Sequence, residues 1–198
     1  FLTAGSTGAT VAGATLIIRR AKGVERPALA PVLPTAEGGM LLVDCGANVD
    51  CKPSQLRQFG IMGSIYMRTV MGVENPRVGL INNGAEEEKG DALRHEAYAL
   101  LKEAGEAGRL NFVGNVEAND AMLGAVDVIV TDGFTGNVLL KSMEGVGKFL
   151  LTELKSVFLT NTRTKIAAGL VKGDLAGLKK QMDPGEVGGT PFLGITKP

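Results

Sequence analysis

The stretch Asp132-Gly133-Phe134-Thr135-Gly136-Asn137 places two glycines and several short polar side chains directly after an apolar run, Val126 to Thr131. Beyond it, apolar residues recur at Leu139, Met143, Val146, Leu150, Leu154 and Val157. Spacings of three and four are the stripe of a core-facing helix, and the apolar run before the turn reads as a buried strand. A helix beginning there leaves its first N–H groups without backbone partners, at the positive end of its dipole, and so favours an anion. Gly133 and Gly136 let the backbone come close to such an anion, and Asp132, Thr135 and Asn137 can fix it. The same pattern also makes an ordinary α/β connector, and the turn by itself does not choose between the two readings.

The surrounding elements decide where the turn lies. Strand-like runs at Met40 to Cys45, Arg77 to Ile81 and Leu110 to Val113 release into Gly46 and Asn48, Asn82 and Gly84, and Gly114 and Asn115. Between them lie helical patterns. Pro53 to Gly72 turns Leu56, Phe59, Ile61, Met62 and Ile65 inward, and the stretch after Gly90 carries Leu93, Ala97, Leu100 and Leu101. Alternating strands and helices predict a mostly parallel sheet covered on both faces, a three-layer α/β/α sandwich. In such a sheet all the strand ends share one edge, along which ligands bind. Convergence of these glycine and asparagine loops predicts a phosphate or carboxylate site there. Upstream, Phe1 to Ala4 reads as the end of a strand, and Gly5-Ser6-Thr7-Gly8 as a turn into a helix reaching Lys22, capped by Ser6 or Thr7. That turn matches neither the P-loop nor the dinucleotide glycine pattern. Arg26 to Pro31 reads as an extended connector, because each proline disfavours helix in the residue before it.

Among charged residues, Lys89 is the most interesting, since it follows a strand-end loop and precedes a helix start, where an ammonium can reach an anion on the rim. The bland reading, a solvated charged run over Glu86 to Lys89, fits the spacing equally well. The single histidine, His95, lies between Arg94 and Glu96 in a solvated helical run, which argues against a Ser-His-Asp or Cys-His system. Asp44, Asp50, Glu117 and Asp132 lie near the rim, but their spacing gives no metal-ligand pattern, and no metal is expected. Cys45 and Cys51 read as reduced cytosolic thiols. The 198 residues carry 21 basic and 21 acidic side chains, only 5% aromatics and no Trp, which argues against a nucleic-acid binder. No apolar run is long enough to cross a bilayer.

Several motifs, in order, carry a resemblance: Ala4-Gly5-Ser6-Thr7-Gly8-Ala9, Arg26-Pro27-Ala28-Leu29-Ala30, Leu33-Pro34-Thr35, Asp44-Cys45-Gly46-Ala47-Asn48, Pro76 to Leu80, Glu86 to Gly90, Asn111 to Glu117 and Asp132 to Asn137. Together they resemble the PlsX family of bacterial acyl-acyl-carrier-protein:phosphate acyltransferases, over essentially the whole chain. The resemblance implies a homodimeric fold like that of phosphate acetyltransferases and isocitrate dehydrogenases. It also implies a reaction in which inorganic phosphate takes the acyl group of an acyl carrier protein. A membrane glycerol-3-phosphate acyltransferase would then use the acyl phosphate for phospholipid synthesis. No cofactor is implied, since the phosphopantetheine arrives on the carrier. On this footing Lys89 and Asn137 are expected to be catalytic. Ser6, Thr7, Gly8, Asn48, Asn82, Gly84, Asp132, Gly133, Thr135 and Gly136 are expected to bind phosphate or substrate. The family's first strand, with a Gly-Gly-Asp turn, and its closing strand and helix are expected to lie outside this chain.

Residues 1–198 read as a single α/β domain, with residues 159–183 as a basic amphipathic helical hairpin. Between Asn161 and Met182, Arg163, Lys165, Lys172, Lys179 and Lys180 face only Asp174 in charge, and Ile166, Leu170, Val171, Leu175 and Leu178 are interleaved. Such a hairpin can lie on an anionic membrane surface, dock an acidic carrier protein or pack against a dimer partner. The docking residues expected there are Arg163, Lys165, Ile166, Leu170, Val171 and Lys172. The resemblance implies a cytoplasmic protein peripherally associated with the membrane.

Overall fold

A computed structural model describes residues 5–181 and 189–196. The helices are α1 (Thr7–Gly13), α2 (Pro53–Thr69), α3 (Ala92–Glu106), α4 (Ala118–Met122), α5 (Gly133–Leu159), α6 (Thr162–Leu170) and α7 (Lys172–Gln181). The strands are β1 (Ala28–Leu29), β2 (Val32–Thr35), β3 (Gly38–Val43), β4 (Arg77–Ile81), β5 (Asn111–Val116), β6 (Val128–Val130) and β7 (Phe192–Leu193). One sheet runs in the order β2-β3-β6-β4-β5, with β2 antiparallel to β3 and the other neighbours parallel. This is the expected α/β class: a mostly parallel sheet flanked by helices. Because β3, β6, β4 and β5 all point the same way, the loops after Val43, Val130, Ile81 and Val116 leave from one edge.

Alternation along the strands sends Leu41, Val43, Val128, Val130, Val78 and Leu80 to one face, where they pack with Leu56 and Phe59 of α2 and Ala97 and Leu101 of α3. Met40, Leu42 and Ile129, which point the other way, are also fully buried. Continuous apolar strands are what a sheet covered on both sides requires. The parallel strands are locked at their entry edge by Arg77 and Asp127. The Arg77 backbone N–H donates to Asp127 Oδ2 at 2.7 Å, and its guanidinium grips both carboxylate oxygens at 3.1 and 3.0 Å.

Several sequence expectations shift. The helix expected to reach Lys22 stops at Gly13, continues as a single π turn (Ala14–Ile18) and ends at Arg19, whose φ is 74°. There the chain is taken over by pairing: Ala21 N–H donates to Gly194 O, and Arg20 bridges Ile195. The expected connector over Arg26 to Pro31 contains β1, which pairs with β7, since backbone kept extended by a following proline is free to pair. β3 begins at Gly38 rather than Met40 because it forms a hairpin with β2. Pro34 is tolerated in β2 because that strand is an edge. Gly114 and Asn115 do not follow a strand but lie inside β5, which continues to Val116 past a bulge that leaves Val113 unpaired. α4, between β5 and β6, was not foreseen. The expected strand at Phe1 to Ala4 and the last residues of the expected hairpin, 182 and 183, lie outside the described residues.

The described residues divide into two compact units, one running to Asn137 and resuming at Gly189, the other beginning at Val138. In the second, Asn161 caps α6 reciprocally with Thr164. An apolar groove of about 360 Å³ runs between Leu151, Leu154 and Phe158 of α5 and Ala168 and Leu175, with Lys155 and Lys172 in its lining. Among the described residues no helix is long and apolar enough to cross a membrane.

Burial alone would raise the Asp127 carboxyl, but the donors and charge of Arg77 hold it below its ordinary value. A carboxyl depressed in the folded state stabilises fully above its unfolded pKa, and that stability is lost as pH falls through the folded pKa. Arg77 is 40% exposed, which screens the pair, so Asp127→Asn is expected to cost about 1 kcal/mol at pH 7. In urea unfolding measured between pH 7 and pH 3, the variant should lose less stability on acidification than the parent.

Candidate functional site

The rim is built from Asp44, the first residue after β3. Asp44 is fully buried, and the hydrogen bonds its carboxylate accepts come from neutral N–H donors. Oδ1 accepts from Leu29 N–H (2.9 Å) and Ala47 N–H (3.2 Å), and Oδ2 from Asn48 N–H (2.6 Å) and Asn48 Nδ2 (3.0 Å). Burial pushes this carboxyl up, and the donors pull it back only in part. The second donor on Asn48 Nδ2 goes to Pro27 O (2.8 Å), and Asn48 O receives Gly133 N–H (2.7 Å). Asn48 is therefore spent on the scaffold. It joins the loop after β3, the β1 segment and the start of α5.

Gly133 and Gly136 let α5 begin directly on this loop. A Cβ at Gly133 would lie 2.6 Å from Asn48 O, and one at Gly136 would lie 1.9 Å from Asp44 O. Their role here is close packing. Asp132 caps the helix: Oδ1 accepts Thr135 N–H (2.9 Å) and Oδ2 accepts the Thr135 hydroxyl (2.8 Å). Gly136 N–H closes the first helical bond to Asp132 O. The N–H groups of Thr135 and Gly136 and the hydroxyl proton of Thr135 are thus committed within the turn, and the Gly133 N–H to Asn48 O, whereas the Phe134 N–H has no acceptor among the described residues. The Asn137 amide nitrogen lies 3.1 Å from the point where a Cβ would stand on Gly46.

The loop after β4 carries Lys89. Asn82 Nδ2 donates to Lys89 O (2.9 Å) and Asn115 Nδ2 donates to Glu86 O (2.7 Å), so the loop is pinned at its end and its middle. Gly84 is buried against the Lys89 stem, where a Cβ would come within 2.8 Å of Lys89 Cγ. Asn82 and Gly84 thus shape the loop. Gly90 closes it at φ 100°, a conformation glycine adopts without strain. The Lys89 ammonium makes no ion pair among the described residues.

Arg94, which the sequence reading set in a solvated run with His95, behaves differently. His95 is exposed, but the Arg94 side chain is only 15% exposed and reaches across the rim. Nη1 donates to Asp91 Oδ2 (2.7 Å), and Nη2 donates to Asp132 Oδ2 and to Thr135 Oγ1 (3.1 Å). Asp91 caps α3 through Arg94 N–H. Position three of a helix, after an Asp cap, was the available signal, but nothing local says which way the side chain turns. Asp44 and Asn115 were also missed as organisers.

The remaining expected residues lie elsewhere. Ser6 caps α1, accepting from Ala9 N–H and Thr10, and its hydrogen bonds stay within that helix, at the turn containing Thr7 and Gly8. Arg163, Lys165, Ile166, Leu170 and Lys172 are exposed and Val171 is half-buried, all in the second unit. Cys51 donates its thiol to Asn48 O (3.4 Å). Burial, with the charges of Asp44, Asp132 and Asp50, pushes that thiol up to about 12, so at neutral pH it is not a thiolate nucleophile. Among the described residues no group of three or more His, Cys, Asp and Glu side chains is arranged to hold a metal.

With this geometry in view, the comparisons with known proteins are direct. Residues 1–198 match the family model described as "Fatty acid synthesis protein". The chain belongs to this family. Curated relatives include a "Phosphate acyltransferase" of Acetivibrio thermocellus, 52% identical over 195 residues, covering 98% of this chain and 56% of the relative. Another "Phosphate acyltransferase", from Clostridium acetobutylicum, is 53% identical over 193 residues, covering 98% of this chain and 57% of the relative. The chain thus spans little more than half the length of these relatives. Among solved structures, the EutD phosphotransacetylase of Staphylococcus aureus superposes with a TM-score of 0.60 at 20% identity, over 73% of this chain and 49% of that one. A phosphotransacetylase from Streptococcus pyogenes gives 0.56 at 17%, with the same coverage. These likenesses establish a shared fold.

The contact between α5 and the Asp44 loop is the tightest in the site. Gly136→Ala would drive a methyl group into a backbone carbonyl that cannot rotate away. The expected cost is at least about 3 kcal/mol, visible as a lowered urea midpoint.

Proposed function

We propose that this chain forms the phosphate-binding part of a phosphate acyltransferase. The enzyme would move an acyl group from an acyl carrier protein to inorganic phosphate, releasing acyl phosphate and free carrier. The observation that carries the reading is the Lys89 ammonium. Among the described residues it has no ion-pair partner, and it stands on a pinned loop at the sheet edge from which the Asp132–Asn137 turn also leaves. The names of relatives about 50% identical support the reaction class.

The chemistry fits these residues. A phosphate oxygen attacks the thioester carbonyl carbon, the carbonyl oxygen takes the negative charge, and collapse breaks the C–S bond to release the carrier thiolate, which takes up a proton. Phosphate is already an anion at neutral pH, so no covalent enzyme nucleophile is required, in keeping with the raised Cys51 thiol. Lys89 neutralises the phosphate, the Phe134 N–H donates to it, and the Asn137 amide donates to the oxyanion. Holding the two reactants in line supplies about 7–11 kcal/mol of the barrier reduction, and each oxyanion donor about 2.7–4 kcal/mol. The Ser6–Gly8 turn is proposed as a second phosphate contact in the complete site.

The exposed apolar side chains of α5, Phe149, Leu150 and Val157 among them, support a homodimer. In α6, Ile166 and Leu170 are exposed beside Arg163 and Lys165, and this supports docking on an anionic membrane surface or an acidic carrier protein. The enzyme would then be cytoplasmic and peripherally membrane-associated, passing acyl phosphate to a membrane glycerol-3-phosphate acyltransferase.

Free thiol released from acyl-carrier thioester, with and without phosphate, tests the reaction. Preference for short acyl-CoA would instead indicate a phosphate acetyl- or butyryltransferase, and silence with either substrate a non-catalytic module. Lys89→Ala and Asn137→Ala should each lower phosphate-dependent release about 100-fold while the fold persists. Normal turnover in both would remove these roles. Leu170→Glu should weaken co-sedimentation with anionic vesicles if the membrane is the surface that α6 meets, and leave it unchanged if it is not.

A further inference from the structure

Arg94 joins two helix caps. Through Asp91 it belongs to α3, which follows the Lys89 loop, and through Asp132 and Thr135 it holds the first turn of α5. A planar guanidinium makes both contacts at once because its two terminal nitrogens diverge at a fixed angle. A lysine ammonium is a single point and cannot replace it. The pairing also settles the charge at the rim. The Asp132 side chain is only 8% exposed, and its partner Arg94 15%. Without a cation, a carboxylate so enclosed would stand two residues from the Phe134 N–H with its charge uncompensated, and would repel an incoming anion.

We infer that Arg94 is a positioning residue for the anion site: it fixes the α5 turn to the Lys89 loop and cancels the charge of Asp132, so that phosphate can enter beside it. This rests on the proposed phosphate site, and it assigns Asp132 and Thr135 to that arrangement rather than to direct phosphate contact. Arg94 already serves two carboxylates, so Lys89 is the cation left for the phosphate.

The test is titration of the protein with inorganic phosphate, followed by calorimetry and by thermal shift. Arg94→Ala should weaken phosphate binding at least tenfold, and Arg94→Lys, which keeps a cation beside Asp132 without the two-way fork, should recover part of the loss. The deciding variant is Arg94→Ala combined with Asp132→Asn. Asparagine remains a good helix cap but carries no charge, so the double variant should return to within about threefold of the parent. A purely structural tie would predict the opposite, since the double variant lacks both partners. Phosphate binding within twofold of the parent in Arg94→Ala, or a double variant no better than the single one, overturns the inference and leaves the phosphate site standing. A parent protein that binds no phosphate at millimolar concentration overturns the proposed function and this inference with it. If circular dichroism shows Arg94→Ala unfolded, Arg94→Gln, which keeps the side-chain stem, takes its place in both measurements.

Discussion

A carboxylate held by neutral N–H donors and buried at the end of a central strand is the constraint around which this fold is arranged. Asp44 is held by donors from three places: the β1 segment through Leu29, its own loop through Ala47, and both nitrogens of Asn48. Each of these bonds fixes a piece of chain that something else then uses. Asn48 carries the constraint on to Pro27 and Gly133, and Gly133 begins α5. A buried ionisable group costs free energy unless its lone pairs are filled, so the loop has little freedom to take another shape. The position of the α5 turn follows from it.

The charges of the rim divide into those used internally and those left open. Arg94 is taken by Asp91 and Asp132, and the donor of Thr135 by Asp132. The Lys89 ammonium makes no ion pair among the described residues, and the Phe134 N–H and the Asn137 carboxamide belong to the turn that leaves the same sheet edge. The specificity of such a site depends on where those groups are held. Stability and chemistry are also separated in space, because the Arg77–Asp127 pair locks β4 to β6 at the opposite edge of the sheet.

Much of the architecture was legible because it rests on periodicity. The apolar strands, the stripes of α2 and α3, and the convergence of loops on one edge follow from residue spacing, whereas the α5 stripe, read as core-facing, stands exposed at Val146, Leu150 and Val157, because spacing shows that a face is apolar and not what covers it. The edge strands were harder. β2 and β5 mix polar residues, a proline and a bulge into their runs, so apolar runs alone placed Gly114 and Asn115 outside a strand that contains them. Long-range pairing was hidden for another reason. Residues 19–21 leave the helical path for partners near residue 195, and no local signal reveals a partner so distant. At the site, the polar and glycine-rich residue types were legible, but the partners they take within the fold were not. Whether Asn48 faces a ligand or a buried Asp44, and whether Arg94 faces water or Asp132, depends on side-chain directions set by tertiary packing.

The bracing of the Lys89 loop by Asn82 and Asn115 has a kinetic and entropic side. A lysine on a slack loop must surrender backbone freedom each time it meets a ligand, at about 1–2 kcal/mol for every residue that becomes ordered. Here the backbone from Glu86 to Lys89 is tied to its neighbours when the chain folds, so that ordering is completed once, long before any anion arrives. Only the side chain of Lys89 is left to settle on each encounter, and the affinity available from a single ammonium is not consumed in arranging the loop that carries it.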